Sequence, residues 1–237
     1  MRLTALRQKN NLILHDADSL CDAPETHQIK PALFTSDYWR ERELIVGEAP
    51  GRGSSLFVQA TPTEQWALRP YRRGGMAAKL SKKRYLWTGA ERTRAFRELR
   101  LTATLFEQGL RVPRPVASCV TRYGLTYEAA LITVRIAGAK ALAELLVNDL
   151  ANEALLKRVG VMVRRFHQVG LDHVDLNARN ILIDPIGEPW LIDFDRCRLR
   201  EPGKWQEENL KRLERSIHKF KPSLVISPLI QGYRATS

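Results

Sequence analysis

Apolar residues along the chain come in two rhythms. In the first half they form short runs parted by turn residues. Residues 12–14 are one such run, ahead of a Pro- and His-bearing stretch, and predict a peripheral strand within residues 1–35. Residues 44–46 and 56–58 bracket the string G-E-A-P-G-R-G-S-S at residues 47–55, which reads as two strands joined by a glycine-rich turn. W-A-L-R at residues 66–69 is a further strand. Residues 112–116 and 125–134 predict two more, the second running into R-I-A-G-A at residues 135–139.

Three- and four-residue steps mark the helices. Phe96, Leu99, Ala103, Phe106 and Leu110 trace one apolar stripe behind a T-x-x-E string at residues 88–91, so Glu91 is expected to cap a helix that ends near Gly109. Leu155, Val159, Met162 or Val163, and Phe166 give a second helix over residues 152–169. A last helix over residues 205–220 is expected to bury Leu213, Ile217 and Phe220 and to be strongly basic outside. The pattern predicts one α+β domain over residues 1–237. Its lobes are an N-lobe of about residues 1–134, with an antiparallel sheet and one helix, and a mainly helical C-lobe of residues 140–237, joined by a hinge at 135–139. No internal repeat or low-complexity tract interrupts it.

Chemistry concentrates in residues 173–196, H-V-D-L-N-A-R-N-I-L-I-D-P-I-G-E-P-W-L-I-D-F-D-R. Asp175 and Asn180 lie in one polar loop. A short apolar strand, a Pro-Gly turn and a second strand then lead to Asp193. Phosphoryl transfer asks for this set: hard oxygen ligands for magnesium, supplied by Asn180 and Asp193, and a carboxylate kept off the metal, Asp175, to take the proton of an acceptor hydroxyl. Upstream, the glycine-rich turn with Gly47, Gly51 and Gly53 suits phosphate covering. Arg69 occupies the place of the phosphate-binding lysine of a kinase strand, with Glu98 on the first helix as its expected partner.

Composition narrows the class. At 237 residues and 44% hydrophobic content the chain can bury a substantial core. Cys21, Cys119 and Cys197 are scattered and lack metal-site spacing, which fits a reducing cytoplasm. The first residues carry charge where a secretory leader needs an apolar core, and no window is apolar for the length of a membrane span, so the protein is expected to be neither exported nor integral. A net charge of +12 asks for an acidic partner. Nucleic acid is the weaker choice, because no helix-turn-helix, zinc-finger or ribonucleoprotein signature accompanies the charge. The local maximum, Arg72, Arg73, Lys79, Lys82, Lys83 and Arg84, is interrupted by Gly74-Gly75 and followed by Tyr85-Leu86-Trp87. It reads equally well as a solvated loop or as an anion-binding flap.

From the glycine-rich turn through R-R-G-G, A-L-R, H-x-D-L-N-A-x-N-I-L and L-I-D-F-D, the whole chain resembles the 3-deoxy-D-manno-octulosonic acid (Kdo) kinases of lipopolysaccharide core assembly, and more distantly the protein-kinase fold. The resemblance implies ATP- and magnesium-dependent phosphorylation of the 4-hydroxyl of a Kdo residue on a lipid A precursor. It also implies a peripheral location on the cytoplasmic side of the inner membrane, Asp175 as base, and contact with an anionic membrane surface but not nucleic acid. A heptose kinase of the same pathway or a compact atypical protein kinase is the alternative. Departures from the protein-kinase pattern carry information too. H-V-D lacks the arginine that reads an activation-loop phosphate, and Arg179 stands where charge near the γ-phosphate is expected. Asp195 replaces the glycine of D-F-G, and no A-P-E segment follows.

Overall fold

The computed structural model describes residues 1–18, 29–49, 55–71 and 84–235. The chain forms two compact units, Met1–Glu107 with Arg114–Arg135, and Gln108–Pro113 with Ile136–Ser237.

The first unit contains β1 (Leu3–Gln8), β2 (Asn11–Asp16), α1 (Ser36–Arg40), β3 (Ile45–Glu48), β4 (Leu56–Gln59), β5 (Gln65–Pro70), β6 (Tyr85–Leu86), α2 (Arg94–Glu107), β7 (Pro115–Tyr123) and β8 (Thr126–Val134). The strands pair antiparallel in the order β1-β2-β7-β8-β5-β4-β3, with β6 also on β8. Successive residues point to opposite faces. Ile13, Cys119, Ala130 and Ile132 therefore pack with Leu33, Phe34 and Trp39 on one face, while Leu14, Val120, Ala129 and Leu131 pack with Phe96 and Leu99 of α2 on the other. Because both faces are covered, β7 and β8 read as nearly continuous apolar runs instead of alternating ones. Burial also pushes the Cys119 thiol up to about 12, so it behaves as a small hydrophobe.

Three expectations for this unit change. Residues 12–14 do not form a peripheral strand: β2 lies inside the sheet between β1 and β7. The edge belongs to β1, none of whose residues is buried, so it carried no apolar signal. Glu91 caps nothing. It lies in a 3-10 turn, Ala90–Arg92, and receives a two-pronged hydrogen bond from the Arg100 guanidinium at 2.7 and 2.9 Å. That contact holds the Glu91 carboxyl below the usual carboxylate range. On α2 the buried stripe runs through Phe96, Leu99, Ala103 and Leu105, leaving Phe106 half-buried.

The second unit holds β9 (Lys140–Ala141), α3 (Leu142–Val147), α4 (Glu153–Gln168), β10 (Leu171–Asp172), β11 (Ile181–Ile183), β12 (Pro189–Leu191), β13 (Arg198–Leu199), α5 (Lys204–Phe220) and α6 (Ser227–Arg234). Asn152 caps α4 by accepting from the Leu155 N–H at 2.9 Å, and the expected apolar stripe is buried. β11 and β12 form the expected hairpin, with β9 on the outer side of β11. α5 is not the last helix. α6 follows it, hidden from sequence reading because S-P-L-I-Q-G-Y-R is short and combines Pro with Gly.

α6 crosses α4 backbone to backbone. A Cβ on Gly160 would run into the Leu229 carbonyl oxygen, and one on Gly232 into the Lys157 carbonyl oxygen. Beside this crossing the buried His167 ring meets the Tyr233 hydroxyl at 2.8 Å and packs edge-on against Trp205, and burial lowers its pKa to about 4. Glycine to alanine inside an ordinary helix stabilises by up to about 1 kcal/mol. Here the sign should reverse. Gly160→Ala and Gly232→Ala should each lower stability by roughly 1–3 kcal/mol, the usual cost of overpacking, measured as a drop in denaturant midpoint. A rise in midpoint would show that the helices do not meet at these positions.

Candidate active site

The loop that carries Asp175 is rooted in a buried polar cluster. Asp172 ends β10 and is buried. Its carboxylate accepts from the Asn209 amide at 3.1 Å and from Arg200 at 3.0 Å. Asn209, 1% exposed on α5, also accepts from the His173 backbone N–H at 3.1 Å and donates to the Trp205 carbonyl at 2.9 Å. Buried polar groups persist only when so satisfied. His173 then turns inward, its Nε2 3.0 Å from the Ile192 carbonyl oxygen. Burial holds its pKa below the usual imidazole range, so the ring is neutral and Nε2–H donates.

Beyond this root the loop folds on itself. The Asn177 side-chain oxygen accepts from the Arg179 and Asn180 N–H groups at 2.8 and 3.3 Å, and its amide donates to the Asp175 carbonyl at 2.9 Å. This is the short-range bonding that Asn side chains provide in turns. The Ala178 N–H donates to the Ser216 hydroxyl of α5 at 3.0 Å, and the Ala178 carbonyl accepts from Ala143 of α3 at 3.0 Å. With its main chain tied down on both sides, the loop leaves the Asp175 side chain exposed. The Arg179 guanidinium lies over the Phe220 ring, 5.1 Å from its centroid.

Asn180 and Asp193 are brought together by the hairpin. The ladder pairs Ile181 with Leu191 and extends one step, the Ile192 N–H donating to the Asn180 carbonyl at 3.0 Å, so Asp193 follows directly. Asp193 has φ of 65°, a left-handed conformation unusual outside glycine, which Asp tolerates better than most residues. Phe194 is the anchor behind it. Its ring is buried against Phe166 and His173, at 6.4 and 5.6 Å between centroids. Asp195 lies in the turn that follows, closed by the Cys197 N–H on the Phe194 carbonyl at 3.0 Å.

The donor set fits magnesium of the kind that relies on phosphate. The Asn180 amide nitrogen donates to the Asp175 carbonyl at 2.9 Å, which commits that end of the side chain and leaves Oδ1 as the end a metal would meet. Among the described residues no group of three His, Cys, Asp or Glu side chains is placed to hold a metal by itself. Magnesium seldom needs one, since it keeps several waters and borrows substrate phosphate oxygens beside one or two protein ligands.

In the first unit, Arg69 at the end of β5 forms an ion pair with Glu98 of α2, which is 3% exposed. The Tyr71 hydroxyl donates to the other carboxylate oxygen, and the Arg69 guanidinium lies 5.0 Å from the Tyr71 ring centroid. One buried carboxylate thus fixes both side chains. Gly47 lies in β3 at a register shift against β4, while Gly51, Gly53 and the basic residues 72–83 fall outside the described residues.

Sequence reading missed Asn209, Ser216 and Tyr71. For Asn209 a signal existed: it sits within the stripe Trp205, Leu213 and Ile217, and a polar residue on an apolar helix face must find a buried partner. Ser216 and Tyr71 gave no comparable signal.

A family model described as the lipopolysaccharide kinase (Kdo/WaaP) family matches residues 36–231. The chain is similar to the 3-deoxy-D-manno-octulosonic acid kinase of Xylella fastidiosa, with 47% identity covering 85% of this chain and 80% of the relative. It is similar to the proteins of the same name from Stenotrophomonas maltophilia and Vibrio parahaemolyticus, at 44% and 40% identity, each over 90% of this chain and over 85% and 87% of those relatives. Among solved structures, the Cydia pomonella granulovirus kinase PK-1 aligns at 13% identity with a TM-score of 0.44, over 71% of this chain and 58% of that one.

Removing either partner of the Arg69–Glu98 pair breaks a partly buried ion pair. Glu98→Ala should destabilise by roughly 3 kcal/mol, because it removes the acceptor of both the Arg69 guanidinium and the Tyr71 hydroxyl. Arg69→Ala should do less damage, since the Tyr71 hydroxyl remains on Glu98. The double variant should fall short of the sum by about 1–3 kcal/mol in chemical denaturation. Strict additivity would mean that the pair does not couple.

Proposed function

We propose, for a chain that belongs to the lipopolysaccharide kinase (Kdo/WaaP) family, that it transfers the γ-phosphoryl group of ATP to the 4-hydroxyl of a Kdo residue joined to a lipid A precursor, a step of lipopolysaccharide core biosynthesis. The observation that supports this reading is the Asn180 amide bonded to the Asp175 carbonyl, which keeps the Asn180 side chain on the same loop turn as the exposed Asp175, as a metal ligand and a base would require. The short path from β13 through residues 200–203 into α5 agrees with a sugar acceptor, because it leaves no room for the long segment on which protein kinases dock peptides.

In this mechanism an Asp175 carboxylate oxygen takes the proton of the acceptor hydroxyl. The hydroxyl oxygen bonds to the γ-phosphorus as the bond to the β,γ-bridging oxygen breaks, and the electron pair leaves with ADP. Asn180 Oδ1 and the Asp193 carboxylate would hold magnesium. When bound, the ion neutralises phosphate charge. Arg69, braced by Glu98, meets nucleotide phosphate as a planar fork and not as the point charge of a lysine. Arg179 adds charge near the γ-phosphoryl group.

The acceptor is lipid-linked, and the protein meets the cytoplasmic side of the inner membrane peripherally. No helix among the described residues is long and apolar enough to cross a membrane. At the β7–β8 hairpin tip, Leu125 and the neighbouring Leu86 of β6 are 79% and 71% exposed. Arg84 lies over Tyr123 and Arg122 over Trp87. Apolar tips ringed by aromatics and cations suit an anionic lipid interface.

Asp175→Ala should lower turnover on a Kdo-lipid A precursor roughly 100- to 10,000-fold while ATP binding persists, the range expected for loss of a general base. Asp193→Ala should abolish magnesium-dependent turnover with the fold intact. Near-wild-type rates in either variant would overturn the assignment. Binding to anionic vesicles should weaken as salt rises and in the pair Leu86→Ser with Leu125→Ser; vesicle binding untouched by both would argue against this surface.

A further inference from the structure

α5 presents two chemically different faces. Trp205, Asn209, Leu213 and Ile217 are buried beneath it. Arg212, Arg215 and Lys219 follow at steps of three and four residues and line an open cavity of about 510 Å³ whose opposite wall is the catalytic loop, with Asp175 and Arg179. That volume lies within the usual range for small-molecule sites, about 300–1,000 Å³.

The cations here lack partners that they have elsewhere on the same helix. Lys211 pairs with Glu207 at 2.6 Å, and Lys221, just past the helix end, pairs with Asp149. Arg179, Arg212, Arg215 and Lys219 have no ion-pair partner among the described residues, and the one acid lining the cavity is Asp175. A concave wall of unpaired like charges repels itself and draws counter-ions, so such a wall is completed by an anionic ligand. Arginine forks suit carboxylate and phosphate oxygens above other anions.

We infer that Arg212, Arg215 and Lys219 form the acceptor-anion site, binding a carboxylate or phosphate of the acceptor so that its hydroxyl lies against Asp175. This rests on Asp175 being the base of a sugar kinase, and it adds what that assignment leaves open, the grip on the acceptor. Two anions qualify: the carboxylate that an octulosonic acid carries on the sugar, and a phosphate on the lipid to which the sugar is joined.

Arg212→Gln, Arg215→Gln and Lys219→Gln, singly and together, test the assignment. Acceptors are the lipid-linked Kdo, a soluble Kdo ketoside with its free carboxylate, and the same ketoside as its carboxamide. Each charge-assisted hydrogen bond lost should raise KM for the bound anion roughly 10- to 100-fold, with KM for ATP little changed. If the carboxylate is held, wild type should lose a similar factor on the carboxamide, and the triple variant should no longer distinguish the two ketosides. If a lipid phosphate is held, the loss should appear on the lipid-linked acceptor alone. A rise in KM for ATP instead, unaltered KM for every acceptor, or a loss confined to anionic vesicles without acceptor would each overturn the proposal. Should the triple variant fail to fold, the single variants carry the test. Calorimetry of free Kdo and of inorganic phosphate on the protein without ATP separates this proposal from its premise. Anion binding lost in the variants, beside a wild type that phosphorylates no Kdo acceptor, would remove the sugar-kinase reading and leave the anion site standing.

Discussion

The burial of Asp172 is the constraint on which the second unit depends. A carboxylate taken out of water is tolerable only with donors around it, and here they come from Asn209 on α5 and Arg200 just after β13. Because Asn209 also holds the His173 N–H, one amide ties helix, strand and the Asp175 loop together. His173 extends the chain of bonds to the Ile192 carbonyl, one residue before Asp193. Asp175 and Asp193 are therefore positioned by one continuous polar path, and the exposed loop itself has little freedom to choose where its carboxylate lies.

The first unit solves its own problem in the same way. Glu98 is buried on α2 and is shared by Arg69 and Tyr71 of the sheet, so a helix is locked to a strand through one acid with two donors. In both units an acid is buried while a neighbour keeps access to solvent: Asp175 is exposed, and the Arg69 side chain is 26% exposed beside Glu98 at 2%. The buried carboxylate sets the geometry, and a neighbour with access to solvent is available for chemistry.

How much of this could be read from the sequence follows from where the physics is local. The hairpin from Ile181 to Leu191 and the stripe on α4 announce themselves by period and turn residues, and the string from His173 to Asp193 by fixed spacing. The Arg69–Glu98 pair was accessible because both residues occupy positions with a kinase precedent. What stayed hidden was long-range. Whether Glu91 caps a helix or grips Arg100 depends on where α2 begins, which Thr93 and the preceding 3-10 turn decide. β1 gains its place only by hydrogen bonding to β2, and α6 only by lying against Gly160. Neither needs an apolar pattern of its own, so neither left one.

α5 separates two tasks along a single rod. Asn209 and Ser216, seven residues apart, hold the catalytic loop, while Arg212, Arg215 and Lys219 look into the cavity. Substituting Arg212, Arg215 or Lys219 touches neither the Asn209 nor the Ser216 bond to the Asp175 loop, although Ser216 also lines the cavity, and the buried side is under constraint whatever the acceptor. On the acceptor-anion proposal, such a division would let family members change acceptor at a few solvent-facing helical positions without disturbing the loop that carries Asp175. Sequence variation among them should therefore be read one helical face at a time.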